Sequence, residues 1–291
     1  MKKVVIIGAG RAGCSIAKNL QESDKFQITA ITDINGEIAR ESGDFIGDVV
    51  YTGTDNNEAV KYGDIVIIST PDDYIESTCN TLSEKSFIEN KFIFHLSGSR
   101  PSTVLSSARK QNCFIGSMHP LQSMPSPEAG YENLKNAFFC IEGDKEAVEI
   151  GKIMASQISG KFFTIDTREK SLYHAAAVFA SNFINTVVFA SFSIFKDIGV
   201  PEKDILEIIS PLIKGTVNNI EKLGVVNSLT GPVVRGDIKT VEAHIKGFEE
   251  SDNGFLELYR TLTEHTINLA SLNSNAPDKA IIKQLIRILN K

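Results

Sequence analysis

The amino-acid sequence predicts an α/β chain in which an amino-terminal doubly wound, mostly parallel sheet is followed by a carboxy-terminal all-helical domain. Three observations predict it. Short β-branched runs alternate with helical patterns through residue 166, as strands joined by crossover helices do. The first of these runs leads straight into a glycine-rich turn, GAGRAG at 8–13. After residue 166 no strand pattern returns, and helical periodicity fills the rest of the length.

Each element follows from its residues. KVVIIG is a strand rather than a secretory leader, because its apolar run is short and ends in glycine. RAGCSIAKNLQES continues as a helix, and FQITAITD is the second strand. DIVIIST (64–70), KFIFHLS (91–97), CFIGSMH (113–119), AFFCIEG (137–143) and KFFTID (161–166) extend the sheet, with KEAVEIGKIMASQIS a helix between the last two. SMHPLQSMPSPEAGYENLKN (117–136) is expected to be a loop, since Pro120, Pro125 and Pro127 oppose regular helix. Helices are expected over 167–198, 202–222, 237–250, 252–273 and 277–290. The domains so defined are 1–166 and 167–291.

The first long helix is unusual. In KSLYHAAAVFASNFIN (170–185) the polar residues Lys170, His174, Ser181, Asn182 and Asn185 fall within about a third of a helix circumference, at roughly 100° per residue. The other faces are apolar, which predicts a buried helix whose polar stripe meets partners or a wet cavity. The stretch 175–195 has the length of a membrane span, but Ser181, Asn182, Asn185, Thr186, Ser191 and Ser193 interrupt it, so a buried helix is the expectation and no membrane partner is called.

Composition narrows the function. Of 291 residues, 42% are hydrophobic and 23% charged, as in a globular protein, and the net charge of −6 argues against nucleic acid as a partner. Cys14, Cys79, Cys113 and Cys140 lie far apart and read as reduced thiols, consistent with a cytoplasmic protein. No metal-ligand cluster and no G-x-S-x-G elbow is present in the sequence.

Gly8, Gly10 and Gly13 have the spacing G-x-G-x-x-G between a strand and a helix. The first glycine makes the tight turn, the second admits a pyrophosphate, and the third lets helix and strand pack closely. The turn residues Gly8, Ala9, Gly10, Arg11, Ala12 and Gly13 are therefore expected to bind a dinucleotide at a helix amino terminus, the Rossmann arrangement. Asp33 stands twenty residues beyond Gly13 at the end of the second strand, where a carboxylate binds ribose hydroxyls and repels a 2′-phosphate. It favours NAD over NADP. STPDD and LSGS end the next strong strands, so Ser69, Thr70, Pro71, Ser97 and Gly98 join the expected cofactor edge.

Three segments now carry a specific likeness: SMHPLQS (117–123), KSLYHAAAVFASNF (170–183) and SLTGPVVRGDIKTVEAHI (228–245), in this order after the glycine loop. Together they resemble Rossmann-like NADP oxidoreductases whose carboxy-terminal half is a helical domain of unknown function. The likeness spans nearly the whole chain. More distantly the layout is similar to ketopantoate reductase, pyrroline-5-carboxylate reductase and prephenate dehydrogenase of the 6-phosphogluconate-dehydrogenase-like superfamily. His119-Pro120 resembles the His-Pro pair of prephenate dehydrogenases, and Lys170 and Asn182 sit where ketopantoate reductase carries a lysine and an asparagine. The third segment departs from these relatives, so their substrates are not carried over. The expected activity is NAD(P)-dependent hydride transfer to or from a small polar, anionic metabolite; the resemblance implies a cleft between the domains that holds the nicotinamide, and a homodimer. Its label says NADP where Asp33 favours NAD, so both coenzymes stay open.

Hydride transfer to a carbonyl needs a proton donor within reach. The catalytic expectation is therefore Lys170, His174 and Asn182, with His119, Ser181 and Arg235 contacting substrate. Lys170 would have a lowered pKa if desolvated, and Arg235 offers a bidentate grip on a carboxylate. Asp237 is placed to cap the following helix, His95 to lie in the core, and His244 and His265 at the surface or in packing. The alternative is a dinucleotide-binding sensor without turnover.

Overall fold

The computed structural model describes residues 1–84, 87–251 and 254–290. It divides into two compact units, Met1–Ser181 and Asn182–Lys291.

The first unit is built on β1 (Lys2–Ile7), α1 (Arg11–Gln21), β2 (Phe26–Thr32), α2 (Gly36–Ile46), β3 (Tyr51–Gly53), α3 (Asn56–Ala59), β4 (Ile65–Ile68) and α4 (Asp72–Glu84). It continues through β5 (Phe92–His95), a 3-10 segment (Ser102–Gln111), β6 (Phe114–Leu121), α5 (Pro127–Leu134), β7 (Phe138–Gly143), α6 (Lys145–Ile158), β8 (Phe162–Thr164) and α7 (Lys170–Ala180). The strands form one sheet in the order β3-β2-β1-β4-β5-β6-β7-β8. Neighbours run parallel except β6 and β7, which pair antiparallel, Ser117 opposite Glu142 and His119 opposite Cys140. The doubly wound, mostly parallel sheet predicted from sequence is present.

Both faces are covered, which is why the strands read as continuous apolar runs. Alternate residues go to opposite sides: Val4, Ile6, Ile65 and Ile67 enter one core cluster, and Val5, Ile7, Val66 and Ile68 the other. Each fully buried aliphatic side chain of this kind contributes about 1.5–3 kcal/mol relative to exposure. The parallel arrangement aligns the carboxy-terminal ends of β1, β2, β4 and β5, and β6 runs past its pairing with β5 so that His119 projects beyond the same edge.

Two expectations are corrected here. The proline-rich segment is not a loop throughout. Pro120 lies in β6 opposite Phe139, and Pro127 opens α5, where the missing N–H costs nothing because the first-turn donors have no intrahelical acceptor. The Ser126 side chain caps that helix by accepting from Ala129 N at 3.2 Å. The helix expected over 167–198 is two helices, α7 and α8 (Asn182–Asp197), broken at Ser181 with φ −134° and ψ −76°. Nor is it buried within one chain: Leu172 is 70% exposed and Phe179 69%. Thr167–Asp197 is long and apolar enough by composition to cross a membrane. The break leaves pieces of 11 and 16 residues, each short of the roughly 20 that a spanning helix needs.

The second unit contains α8, α9 (Glu202–Asn227), α10 (Pro232–Arg235), α11 (Ile238–Glu249), α12 (Leu256–Ala270) and α13 (Lys279–Leu289). Its core, with Val233, Val241, Ile245, Ile267, Leu285 and Leu289, lies among α10–α13. Helix α9 runs past the predicted end at 222, and its last turn departs from helical geometry at Gly224, φ +77°. Asp237 caps α11 as expected, accepting from Thr240 N at 3.1 Å and from Thr240 Oγ1 at 2.6 Å.

The cap yields a prediction that separates folding from function. Asp237→Ala lowers unfolding free energy by about 1 kcal/mol in chemical denaturation, the usual worth of a cap, and leaves dinucleotide affinity unchanged.

Candidate active site

The glycine turn has the geometry its spacing predicts. Gly8 has φ +98°, and a Cβ there would lie 2.7 Å from the Ser69 carbonyl carbon, so only glycine lets β1 and β4 end this close together. A Cβ on Gly13 would strike Gly8 O and come within 2.9 Å of Ser69 Oγ. Gly10 differs: a Cβ there would meet nothing within 4 Å, so this backbone borders open space at the amino terminus of α1. Asp33 reaches the turn and accepts from Ala9 N at 2.9 Å through Oδ2 and from Asn35 N at 3.0 Å through Oδ1. Ala9 and Gly13 are buried, Ala12 is half-buried, and Arg11 and Pro71 are exposed. Thr70 Oγ1, at the end of β4, is buried and has no hydrogen-bond partner among the described residues. An open glycine backbone beside an orphaned hydroxyl fits a dinucleotide.

Ser97 is already committed. Its hydroxyl donates to Asp72 Oδ2 at 2.7 Å and accepts from Arg100 N at 3.0 Å, and Ser99 Oγ donates to the same carboxylate oxygen at 2.7 Å. Burial would raise the Asp72 pKa, but the Ser99 and Ser97 hydrogen bonds outweigh it and hold the carboxyl below its usual range. Ser97 thus shapes the turn that presents Gly98. Sequence reasoning missed Asp72 and Ser99, since an acid at a helix start reads as an ordinary first-turn charge.

Gly98 is where the predicted residues converge. A Cβ on it would lie 2.8 Å from His119 Nε2 and would overlap His174 Cδ2. The two histidine rings are 6.1 Å apart and near perpendicular. His119 Nδ1 is 2.7 Å from the Tyr173 hydroxyl. His119 and His174, expected from different segments, therefore meet over one glycine. Their approach depends on α7, whose residues 170, 173 and 174 share the face turned to the sheet.

Lys170 anchors that face. It is 1% exposed, and its Nζ donates to Ser117 Oγ at 2.7 Å. Desolvation lowers its pKa, against the pull of Cys140, Glu142 and Asp72. Glu142, also buried, accepts from Ser102 N at 2.8 Å, Ser102 Oγ at 2.7 Å and Thr167 Oγ1 at 2.7 Å. It fixes the turn that leads into α7. Burial, then the positive charges of Lys170 and His174, push the His119 pKa down to about 3. Burial and Lys170 do the same to His95, which lies in the core as expected, also to about 3.

Of the other predicted residues, Ser181 closes the first unit, and Asn182 and Arg235 belong to the second. Ser181 donates to Ala177 O at 2.8 Å at the α7 break and is exposed. Asn182 begins α8 and is exposed, and Arg235 is exposed at the end of α10; both belong to the second unit. His244 pairs with the Tyr259 hydroxyl at 2.8 Å, and His265 is exposed.

The buried histidines set an acid limit. Their folded pKa values of about 3 lie below the ordinary 6.5, so the unfolded chain binds protons first as pH falls. Stability is full above pH 6.5 and declines toward pH 3 by up to about 1.4 kcal/mol per pH unit for each histidine. Denaturation across this window checks it, with His119→Asn expected to flatten the slope.

Comparison with known proteins accords with the fold. Residues 3–93 match the family model described as NADP oxidoreductase coenzyme F420-dependent, and residues 137–266 match the domain of unknown function DUF2520. No curated protein matches the chain. A solved protein of Thermotoga maritima is similar at 29% identity and TM-score 0.73, covering 92% of this chain and 98% of that one. A Bacteroides fragilis protein with the provisional name NADP oxidoreductase is similar at 25% identity and TM-score 0.72, covering 91% and 97%. A pyrroline-5-carboxylate reductase of Coxiella burnetii, at 14% identity and TM-score 0.59 over 99% and 96%, shares the fold. The amino-terminal part of the chain is thus similar to the NADP-oxidoreductase family model and its carboxy-terminal part to the DUF2520 model, the combination that the sequence resembled.

Proposed function

We propose that this chain is an NAD(P)-dependent oxidoreductase that transfers a hydride to or from a small polar, anionic metabolite. The observation that supports this most is one row of groups along the carboxy-terminal sheet edge. It runs from the open Gly10 backbone through the unpartnered Thr70 hydroxyl to the pair of histidines over Gly98. In doubly wound sheets such an edge is where ligands bind.

The Gly8–Gly13 backbone, Thr70 and Asp33 would hold the dinucleotide. The bound coenzyme supplies the hydride. The chain's residues do the rest. His174, half-buried at the surface of the cluster, is the better placed of the two predicted proton-handling groups. Lys170 lies beneath it without surface and acts by its charge, which favours a carboxylate in the site. Asn182, Ser181 and Arg235 are retained as secondary contacts. The similar proteins bear the names NADP oxidoreductase and pyrroline-5-carboxylate reductase, which supports testing both carbonyl and imine substrates.

A homodimer in the cytoplasm is the inferred state. In the first unit α7 exposes Phe179, and in the second α8 and α9 expose Phe183, Phe189, Leu206, Leu212 and Leu223, large apolar side chains that burial against a partner would remove from water. A second copy is the partner whose matching surface would cover them.

Mixing the protein with NADH or NADPH and a panel of 2-keto acids, ketopantoate and cyclic imines, while following nicotinamide absorbance, tests the reading. Turnover with at least one is expected, with Lys170→Ala losing it. Binding of coenzyme without turnover on any panel member would instead favour a sensor. Asp33→Ser should shift preference toward NADPH on the order of tenfold, about the worth of one charge-assisted contact. Sedimentation should give a dimer for the native chain and a monomer for the double variant Phe179→Glu, Leu212→Glu.

A further inference from the structure

Tyr173 carries no role expected from the sequence, yet it is the hydroxyl that His119 Nδ1 meets, at 2.7 Å. The ring lies edge-on to His119 at 5.7 Å and to Phe163 at 5.8 Å, and Lys170 Nζ is 5.6 Å from its centre. Its second polar neighbour is the Cys140 thiol, from the strand position opposite His119. On the other side of the imidazole, Nε2 approaches Gly98 and has no hydrogen-bond partner among the described residues.

A neutral imidazole carries one proton, and the Tyr173 contact decides on which nitrogen. Two arrangements satisfy the three groups. In one, the thiol donates to the phenol oxygen and the phenol donates to Nδ1. In the other, Nδ1–H donates to the phenol, which must spend its proton on sulfur. Thiol sulfur is a weak acceptor, whereas an imidazole lone pair is a strong one, so the first arrangement wins. Burial keeps the ring neutral near pH 7, with its pKa at about 3.

We propose that Tyr173 is a positioning residue that fixes His119 as the Nε2–H tautomer, so that the site beside Gly98 receives a hydrogen-bond acceptor, a carbonyl or carboxylate oxygen. This rests on the oxidoreductase reading for the identity of the ligand, but not for the tautomer. It selects among substrates. A 2-keto acid places an oxygen on Nε2–H. A secondary ammonium would direct N–H at N–H and would also face the charge of Lys170.

The test is long-range proton–nitrogen NMR on the full chain labelled with ¹⁵N-histidine, with His119 assigned through His119→Gln. The native protein should show Nε2 protonated and Nδ1 unprotonated, and Tyr173→Phe should give a tautomer mixture. Titrated pyruvate should move the Nε2 resonance, and pyrrolidine at equal concentration should not. Tyr173→Phe should weaken pyruvate about three- to tenfold, the worth of one hydrogen bond. A proton on Nδ1 in the native chain, or an Nε2 resonance that ignores pyruvate, overturns the proposal. Failure of NADPH and NADH to quench or shift fluorescence, with the Nε2–H tautomer intact, sinks the coenzyme reading alone.

Discussion

The candidate site depends on one buried contact, the hydrogen bond from Lys170 Nζ to Ser117 Oγ. A lysine with no exposed surface pays the desolvation of its charge, and neither Glu142 nor Asp72 is within ion-pair distance to offset it directly. What the arrangement secures is geometry. Lys170 pins the first turn of α7 to β6, and one turn later the same face sets Tyr173 and His174 against His119. Glu142 secures the preceding turn through Thr167, so both ends of this approach are tied to adjacent strands. Loss of the anchor would free two site side chains at once.

Much of the fold was legible because parallel strands covered on both faces carry an unmistakable apolar pattern, and because G-x-G-x-x-G has a steric meaning that the coordinates reproduce glycine by glycine. Strand β3, three residues long, was not legible, since so short a run has no periodicity. Within the proline-rich segment, α5 was missed because proline was weighed as a breaker rather than as a helix starter behind a serine cap. The site divided similarly. His119, His174, Gly98 and Lys170, expected from motif and helical spacing, come together on one side of α7. Tyr173, Cys140, Ser117 and Asp72 were not expected, because Cys140 and Ser117 acquire their roles only through strand register, opposite His119 and Glu142, and Tyr173 and Asp72 only through tertiary contacts with His119 and Ser97.

The misreading of 167–198 as a buried helix has a different cause. Hydropathy reports that a surface avoids water, not which molecule covers it. Apolar residues on several faces of α7 and α8 satisfy the pattern of a core helix equally well when the cover comes from outside the chain. Ser181, whose hydroxyl bonds back to the preceding turn, gives no sign in the sequence that it ends one helix and begins another, because such bonds are also common in uninterrupted helices.

The four cysteines carry one more consequence. All are buried, and burial raises Cys113 and Cys140 to about 11. At neutral pH the thiolate fraction at such a site is on the order of one in ten thousand. Peroxides and disulfides react with thiolate, not thiol. A protein built to handle electron pairs thus keeps its own sulfur out of the traffic, so oxidising conditions that would silence a sulfur-dependent catalyst leave its framework chemically intact.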